Sequence, residues 1–194
     1  MRFCIRTLIS WLPLAVVTTL ICMLVYATVQ QNYRQSLNDP QIQMAEDGAS
    51  KLAAGDVPAS LVSRGVPLVD IEKSLQPWIA VYDASGLPLE SSAVLNGKPP
   101  QPPQGVFDSA KDPELNKGGG PAGENRVTWQ PQTNVRQAIV VVWTPEQRGM
   151  FVVAGRNMRE VEDREGQLSF MVFVAWVVTL GATFVTKAFV RYIS

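Results

Sequence analysis

No histidine occurs anywhere in this chain, and its only two cysteines, Cys4 and Cys22, stand near the beginning. The first absence removes the commonest general base and the commonest metal ligand. Ser-His-Asp and Cys-His catalysis have no base to use, and zinc or haem sites lack their usual donors in the remainder of the chain. The second absence leaves residues 30–155 without a disulfide. Acidic residues are missing from both ends, because all 17 Asp and Glu fall between Asp39 and Glu165. No charge of either sign interrupts Thr7–Tyr33 or Gly166–Thr186. Beyond those two runs the charges are all cations: Arg2 and Arg6 before the first, Lys187 and Arg191 after the second.

Each uncharged run is long enough to cross a bilayer, which takes about 20 apolar residues. Cations at both outer ends, with no acid beside them, predict that both termini face the cytoplasm. The expected layout starts with a cytoplasmic N-terminus at 1–7 and a transmembrane helix at 8–29. An extracytoplasmic domain at 30–155 and a linker helix at 156–167 follow. A second transmembrane helix at 168–188 and a cytoplasmic tail at 189–194 complete it, in an inner or plasma membrane. The first run exceeds the about 7–15 residues of a signal-peptide core, and Val25-Tyr26-Ala27 is a poor cleavage site. A signal anchor that is retained is therefore expected over a leader that is removed. The bulky Ile21 before Cys22 argues against a lipoprotein. The second run carries Ala175, Gly181 and Ala182, small residues that let helices approach closely in lipid. A plain lipid-facing anchor is the simpler alternative. Neither run contains a charged residue, which argues against transport or channel work.

The region between the runs holds 13 cations and all 17 acids, for a net charge of −4. A mildly acidic domain lacks the basic footprint that nucleic acid requires. Asn38-Asp39-Pro40 reads as a helix start, followed by apolar residues at three- and four-residue spacing up to Gly55. That gives a long N-terminal stalk helix. Trp78–Tyr82 reads as a strand, Asp83-Ala84-Ser85-Gly86 as a turn, and Leu87–Ser92 as the returning strand. Pro88 places that second strand at an edge. The proline-rich Lys98–Gln104 is either a stiff loop or a polyproline recognition motif. Val106–Lys111 reads as a short helix and Asp112–Asn125 as a loop with a glycine run. That run lacks the residues of a phosphate cradle. Three strands follow, at Arg126–Gln130, Val135–Trp143 and Gly149–Gly155, the middle one apolar enough to lie centrally. Asn157 then caps a charged helix that runs directly into the second apolar run. The fold class expected is α+β: two transmembrane helices flanking one domain with an antiparallel sheet of about five strands.

Two segments carry a family likeness. They are Pro77-Trp78-Ile79-Ala80-Val81-Tyr82-Asp83-Ala84-Ser85-Gly86, and Gly149–Gly155 with the following Arg156-Asn157-Met158-Arg159-Glu160-Val161. In this order, between two membrane helices, they resemble the extracytoplasmic PAS-like (Cache-type) sensor domains of bacterial two-span receptors, over roughly residues 30–170. The resemblance implies a ligand lying against the central sheet, lined by strand and loop residues. Tyr82, Asp83, Arg126, Trp129 and Arg136 are the candidate ligand-binding residues, an arginine suiting a carboxylate by bidentate pairing. The alternative is that they are core aromatics with surface arginines. Receptors of this kind continue into a kinase, cyclase or methyl-accepting module. Here only a few residues follow the second run.

Carboxylate neighbours such as Glu46-Asp47 and Glu162-Asp163 do not face one another on a helix, and no calcium-loop pattern occurs. No catalytic residue, metal or cofactor is expected. The expectation is a non-enzymatic, sensor-like or regulatory membrane protein. Its outer domain binds a small ligand or a partner and couples through the transmembrane helices to another membrane protein, or to a second copy as a dimer. The alternatives are a structural accessory subunit of a membrane complex and a truncated receptor without its effector.

Overall fold

The computed structural model of the chain describes residues 2–62, 65–112, 114–116, 120–146 and 149–193; for residues 2–6 and 34–39 it describes the backbone alone. In chain order they form α1 (Arg2–Ala53), α2 (Pro58–Leu61), β1 (Val69–Asp70), β2 (Trp78–Asp83), β3 (Pro88–Ser91) and β4 (Ala93–Val94). Then come α3 (Gln104–Lys111), β5 (Glu124–Gln132), β6 (Val135–Thr144), β7 (Met150–Asn157) and α4 (Arg159–Ile193). Two compact units result: Met1–Gln35 with Val161–Ser194, and Ser36–Glu160.

The first unit contains two helical stretches long and apolar enough to cross a membrane, one at Thr7–Tyr33 and one within α4, with mean hydropathies of 2.3 and 2.2. Most of their large apolar side chains, such as Leu12, Leu20, Leu24, Phe170, Phe173 and Val178, point outward. Two reciprocal hydrogen bonds join the helices. The Trp11 indole N–H donates to Thr183 Oγ1, and the Trp176 indole N–H donates to Thr19 Oγ1, each at 2.9 Å. Both threonines also donate to carbonyls of their own helix, Thr19 to Ala15 and Thr183 to Thr179, at 2.8 Å. Each hydroxyl is thus donor and acceptor at once, the state a polar group requires in an apolar medium. Residue numbers rise on one helix as they fall on the other, so the pair is antiparallel and the two bonds lie about two turns apart. Trp11 also meets Phe184 edge-on at 5.4 Å. Gly181 takes no part: a Cβ added there would meet nothing within 4 Å. Small residues suggested close backbone approach, and the indole–hydroxyl bonds instead join the helices.

The second unit is built on a five-stranded antiparallel sheet in the order β3-β2-β7-β6-β5, with a two-stranded parallel ladder of β1 and β4 beside it. β6 and β7, the most apolar strands, lie inside the sheet, as a strand buried on both faces must. β3 is at the edge, and the register shifts where Pro88 meets Tyr82, so the missing N–H breaks no regular ladder. Alternation along each strand assigns the faces. Val140, Val142, Val152 and Ala154 pack against Ala45, Ala49 and Leu52 of α1. Ile139, Val141, Phe151, Val153, Ala80 and Tyr82 pack with Phe107 and Ala110 of α3. On that second face Phe107 stacks obliquely against Tyr82 and Phe151, with ring centroids 5.1 and 4.9 Å apart. All three rings are fully buried and fill the centre of the face.

The helix start read at Asn38-Asp39-Pro40 is not a boundary. The backbone stays helical from Arg2 to Ala53. A proline inside a helix forfeits one backbone bond. Here the following turns are held by the buried face of Gln41, Ala45, Ala49 and Leu52, which outweighs that local cost. The β1–β4 ladder and α2 were not foreseen, because strands of two residues carry no periodicity. Gly118 and Gly119 of the glycine-rich loop lie outside the described residues.

Candidate functional site

A groove of about 670 Å³ lies in the second unit, a volume within the usual range of small-molecule sites. One wall is a stripe of α1, Pro40, Met44, Asp47 and Lys51, which recurs at helical spacing. The opposite wall is Leu61, Val66 and Leu68, and Ile79 and Trp78 contribute from β2. Val66 and Leu68 are 62% and 54% exposed, so the groove offers unburied apolar surface. Asp47 and Lys51 bring one charge of each sign, and Gln43 and Gln76 bring amides. The chemistry suits an amphipathic small molecule: apolar contact on one side and a polar or charged head on the helix side.

The Trp78 indole packs on the α3 face of the sheet, away from α1, and joins a buried polar network there. Its ring lies over Gly155 of the neighbouring strand, where an added Cβ would stand 2.4 Å from the indole. Because Gly155 has no side chain, the indole extends across β7 and donates its N–H to Gln137 Oε1 of β6 at 3.1 Å. Gln137 in turn donates to the carbonyl of Ile71 at 2.9 Å, and Asn157 Nδ2 donates to the same carbonyl at 3.1 Å. Asn157 Oδ1 accepts the backbone N–H of Arg159 at 2.9 Å, capping the first turn of α4. Trp78, Gln137 and Asn157 are all at most 3% exposed. Every side-chain nitrogen and oxygen of Trp78, Gln137 and Asn157 has a partner, which is what makes a buried polar network tolerable. The surrounding segment is held as well. Arg156 donates to Leu75 O, and Arg159 donates to Glu72 O and Lys73 O.

The five residues singled out from the sequence are placed as follows. Tyr82 is wholly buried in the α3-side core and its hydroxyl donates to Pro100 O at 2.5 Å. Burial pushes the phenol well above its usual range. Asp83 closes the β2–β3 turn. Its Oδ1 accepts from the Ser85 hydroxyl and from the backbone N–H groups of Ser85 and Leu87. The Ser85 hydroxyl bond, with the Leu87 amide behind it, holds that carboxyl below its ordinary value. Arg126 pairs with the buried Glu124 on its own strand. Trp129 joins the α3-side core and lines a second hollow of about 640 Å³ with Leu95, Lys98, Pro99 and Pro131. Arg136 is exposed on β6, its carbonyl accepting from Met158 N. Tyr82 and Trp129 therefore share one face of the sheet. Arg126, paired with Val140, and Arg136, on the same side of β6 as Val140, belong to the other. None of the five lines the groove.

Residues 98–104 serve the fold: Pro100 accepts the Tyr82 bond and Gln101 donates to Gly86 O at 2.6 Å. Among the described residues no group of three or more Cys, Asp or Glu side chains is placed to hold a metal ion. The class defined by fold and groove is an α+β domain joined to two long apolar helices. Comparison with family models, with curated proteins and with solved structures finds no match for the chain.

Proposed function

We propose that the chain is a non-enzymatic two-span membrane protein of the sensor-like or regulatory kind. Its outer domain binds a small amphipathic ligand in the α1 groove, and the bound state passes through the membrane helices to another membrane protein. The observation that carries this is the unbroken helix α1. The same helix that supplies Pro40, Met44, Asp47 and Lys51 to the groove also supplies the apolar stretch Thr7–Tyr33. A helix continuous in the chain offers a route for passing a rotation or axial shift along it. The PAS-like likeness is supported by the sheet, in which the first and last of the five strands pair at its middle, and by the stalk and exit helices that precede and follow it.

Isothermal titration of the full chain in lipid nanodiscs against fractionated small-metabolite pools tests it. Saturable binding is expected. Leu68→Glu, which changes an exposed side chain and leaves the core intact, is expected to weaken it at least about tenfold, by placing a charge against the ligand's apolar part. Uniformly silent titrations, or binding indifferent to Leu68→Glu, would overturn the groove as the site.

A further inference from the structure

The second hollow, of about 640 Å³, lies on the α3 side of the sheet, apart from the α1 groove. Leu95, Pro99, Pro103 and Pro131 give it apolar walls, and Trp129 and Lys98 also line it. Its frame is pinned from several directions. Asn96 and Gly97, both at positive φ, form a two-residue hairpin turn. Reciprocal backbone bonds between Leu95 and Lys98, at 2.8 and 3.1 Å, close that turn. Asn96 Nδ2 donates to Gln132 Oε1 at 3.2 Å and ties the turn to the end of β5. The proline segment is fixed by the Tyr82 hydroxyl, which donates to Pro100 O, and by Gln101, which donates to Gly86 O. A hollow held in this way has little freedom to lose when it binds.

Proline has no backbone N–H, so the three proline walls offer acceptors only, and donors must come from side chains. A buried tryptophan ordinarily finds an acceptor for its N–H, as Trp11, Trp78 and Trp176 do. Trp129 is only 9% exposed, yet its indole N–H has no hydrogen-bond partner among the described residues. Lys98 has no acidic partner among them either. No Asp or Glu lines the hollow, although the region between the two apolar runs has a net charge of −4. We infer that this hollow is a binding site, separate from the α1 groove, for a small organic carboxylate with an apolar body. The Trp129 indole N–H donates to a carboxylate oxygen and the Lys98 ammonium supplies the opposite charge. The body lies against Leu95 and the proline rings. Hydrogen bonds to an ionised acceptor are stronger than those to a neutral one, so the site favours an acid over its amide. The volume is within the usual range of small-molecule sites.

Nitrogen–proton correlation NMR of the five tryptophan indoles, on the full chain in nanodiscs, tests the site. The probes are benzoate, phenylacetate and isocaproate, each beside its neutral amide. Loss of a signal in Trp129→Phe identifies the Trp129 indole. At least one acid is expected to shift that signal saturably and leave the other four in place. The matching amide is expected to bind at least about tenfold more weakly, the factor that a hydrogen bond to a charged group carries. Lys98→Gln, at an exposed position, is expected to weaken the acid by about the same factor and leave the amide unchanged. Leu68→Glu, in the α1 groove, is expected to leave the acid's binding as it is, so the two sites stand or fall separately. Should Trp129→Phe fail to fold, isothermal titration of the same acids against the parent chain and Lys98→Gln carries the same expectation. Silence with all three acids, equal binding of acid and amide, indifference to Lys98→Gln, or loss of binding in Leu68→Glu would overturn the site.

Discussion

Asp83 shows what a single residue contributes and how much of it was legible in advance. An aspartate opening a four-residue turn that closes on glycine is a local pattern, and the structure returns it in full. Gly86 N–H donates to Asp83 O at 2.9 Å, Gly86 has the positive φ of 83°, and the carboxylate gathers three donors. Those donors favour the ionised form, so its folded pKa lies below the unfolded one. The contribution to stability is present above the ordinary aspartate range near about 4 and is lost as pH falls through the folded value. Asp83→Asn should therefore lower the urea midpoint at neutral pH, and the difference from the parent chain should close as pH falls through the folded carboxyl's lowered value. An equal difference at every pH would show that the charge is not what the turn uses. Trp78 and Gly155 are the opposite case. They are distant in sequence, and no local pattern announces that one residue lacks a side chain so that the other can reach a third strand. The same holds for Gln137 and Asn157: amides are unremarkable in a strand and at a cap until one shared carbonyl brings them together.

At the scale of elements, helix and strand types followed from apolar periodicity, and the interior position of β6 followed from its unbroken apolar run, although β7 is the strand at the centre. Pro88 marked an edge strand because a proline cannot donate to a ladder. Pro40 misled for a related reason. Its preference for a first helical turn is a local one, and the packing of Ala45, Ala49 and Leu52 on the sheet overrides it. The pairing of the two apolar helices was also hidden, because an indole finding a hydroxyl across a helix pair depends on rotation about each axis. Thr19→Val and Thr183→Val each remove the acceptor of a tryptophan and preserve shape. Each should destabilise the helix pair by about 0.6 to 1.7 kcal/mol, the range of such bonds in membranes. Because the two bonds lie about two turns apart, the double variant should show nearly the sum. Steric-trap measurements in bicelles provide the check, and a null effect of both variants would remove the indole bonds as the source of pairing. Gly181→Ala, at an open position, should change little.

At the scale of the molecule, the division of charge is the governing fact. Two uncharged stretches enclose the segment that holds every acid, and two long apolar helices and one α+β unit are what that division becomes. If both helices span, the unit Ser36–Glu160 and the cationic ends face opposite sides. In sealed right-side-out vesicles, a membrane-impermeant amine reagent should modify Lys73 and Lys98 and spare Lys187 until the vesicles are opened. Modification of Lys187 in intact vesicles would contradict the topology. What the sequence determined by itself was whatever depends on neighbours along the chain: apolar length, charge placement, turn chemistry, the Asn157 cap and the succession of strands along the chain. What only the tertiary structure decided was which side chains meet. The five polar and aromatic residues nearest to a plausible pocket by sequence separate onto two faces of one sheet, because strands alternate side chains and the Tyr82–Phe107–Phe151 cluster fills the α3 side. The groove arises instead from α1 crossing the opposite face, and the Trp78–Gln137 bond on the α3 face from one missing Cβ at Gly155. Those are contacts across long sequence separations, set by packing in three dimensions and by nothing local.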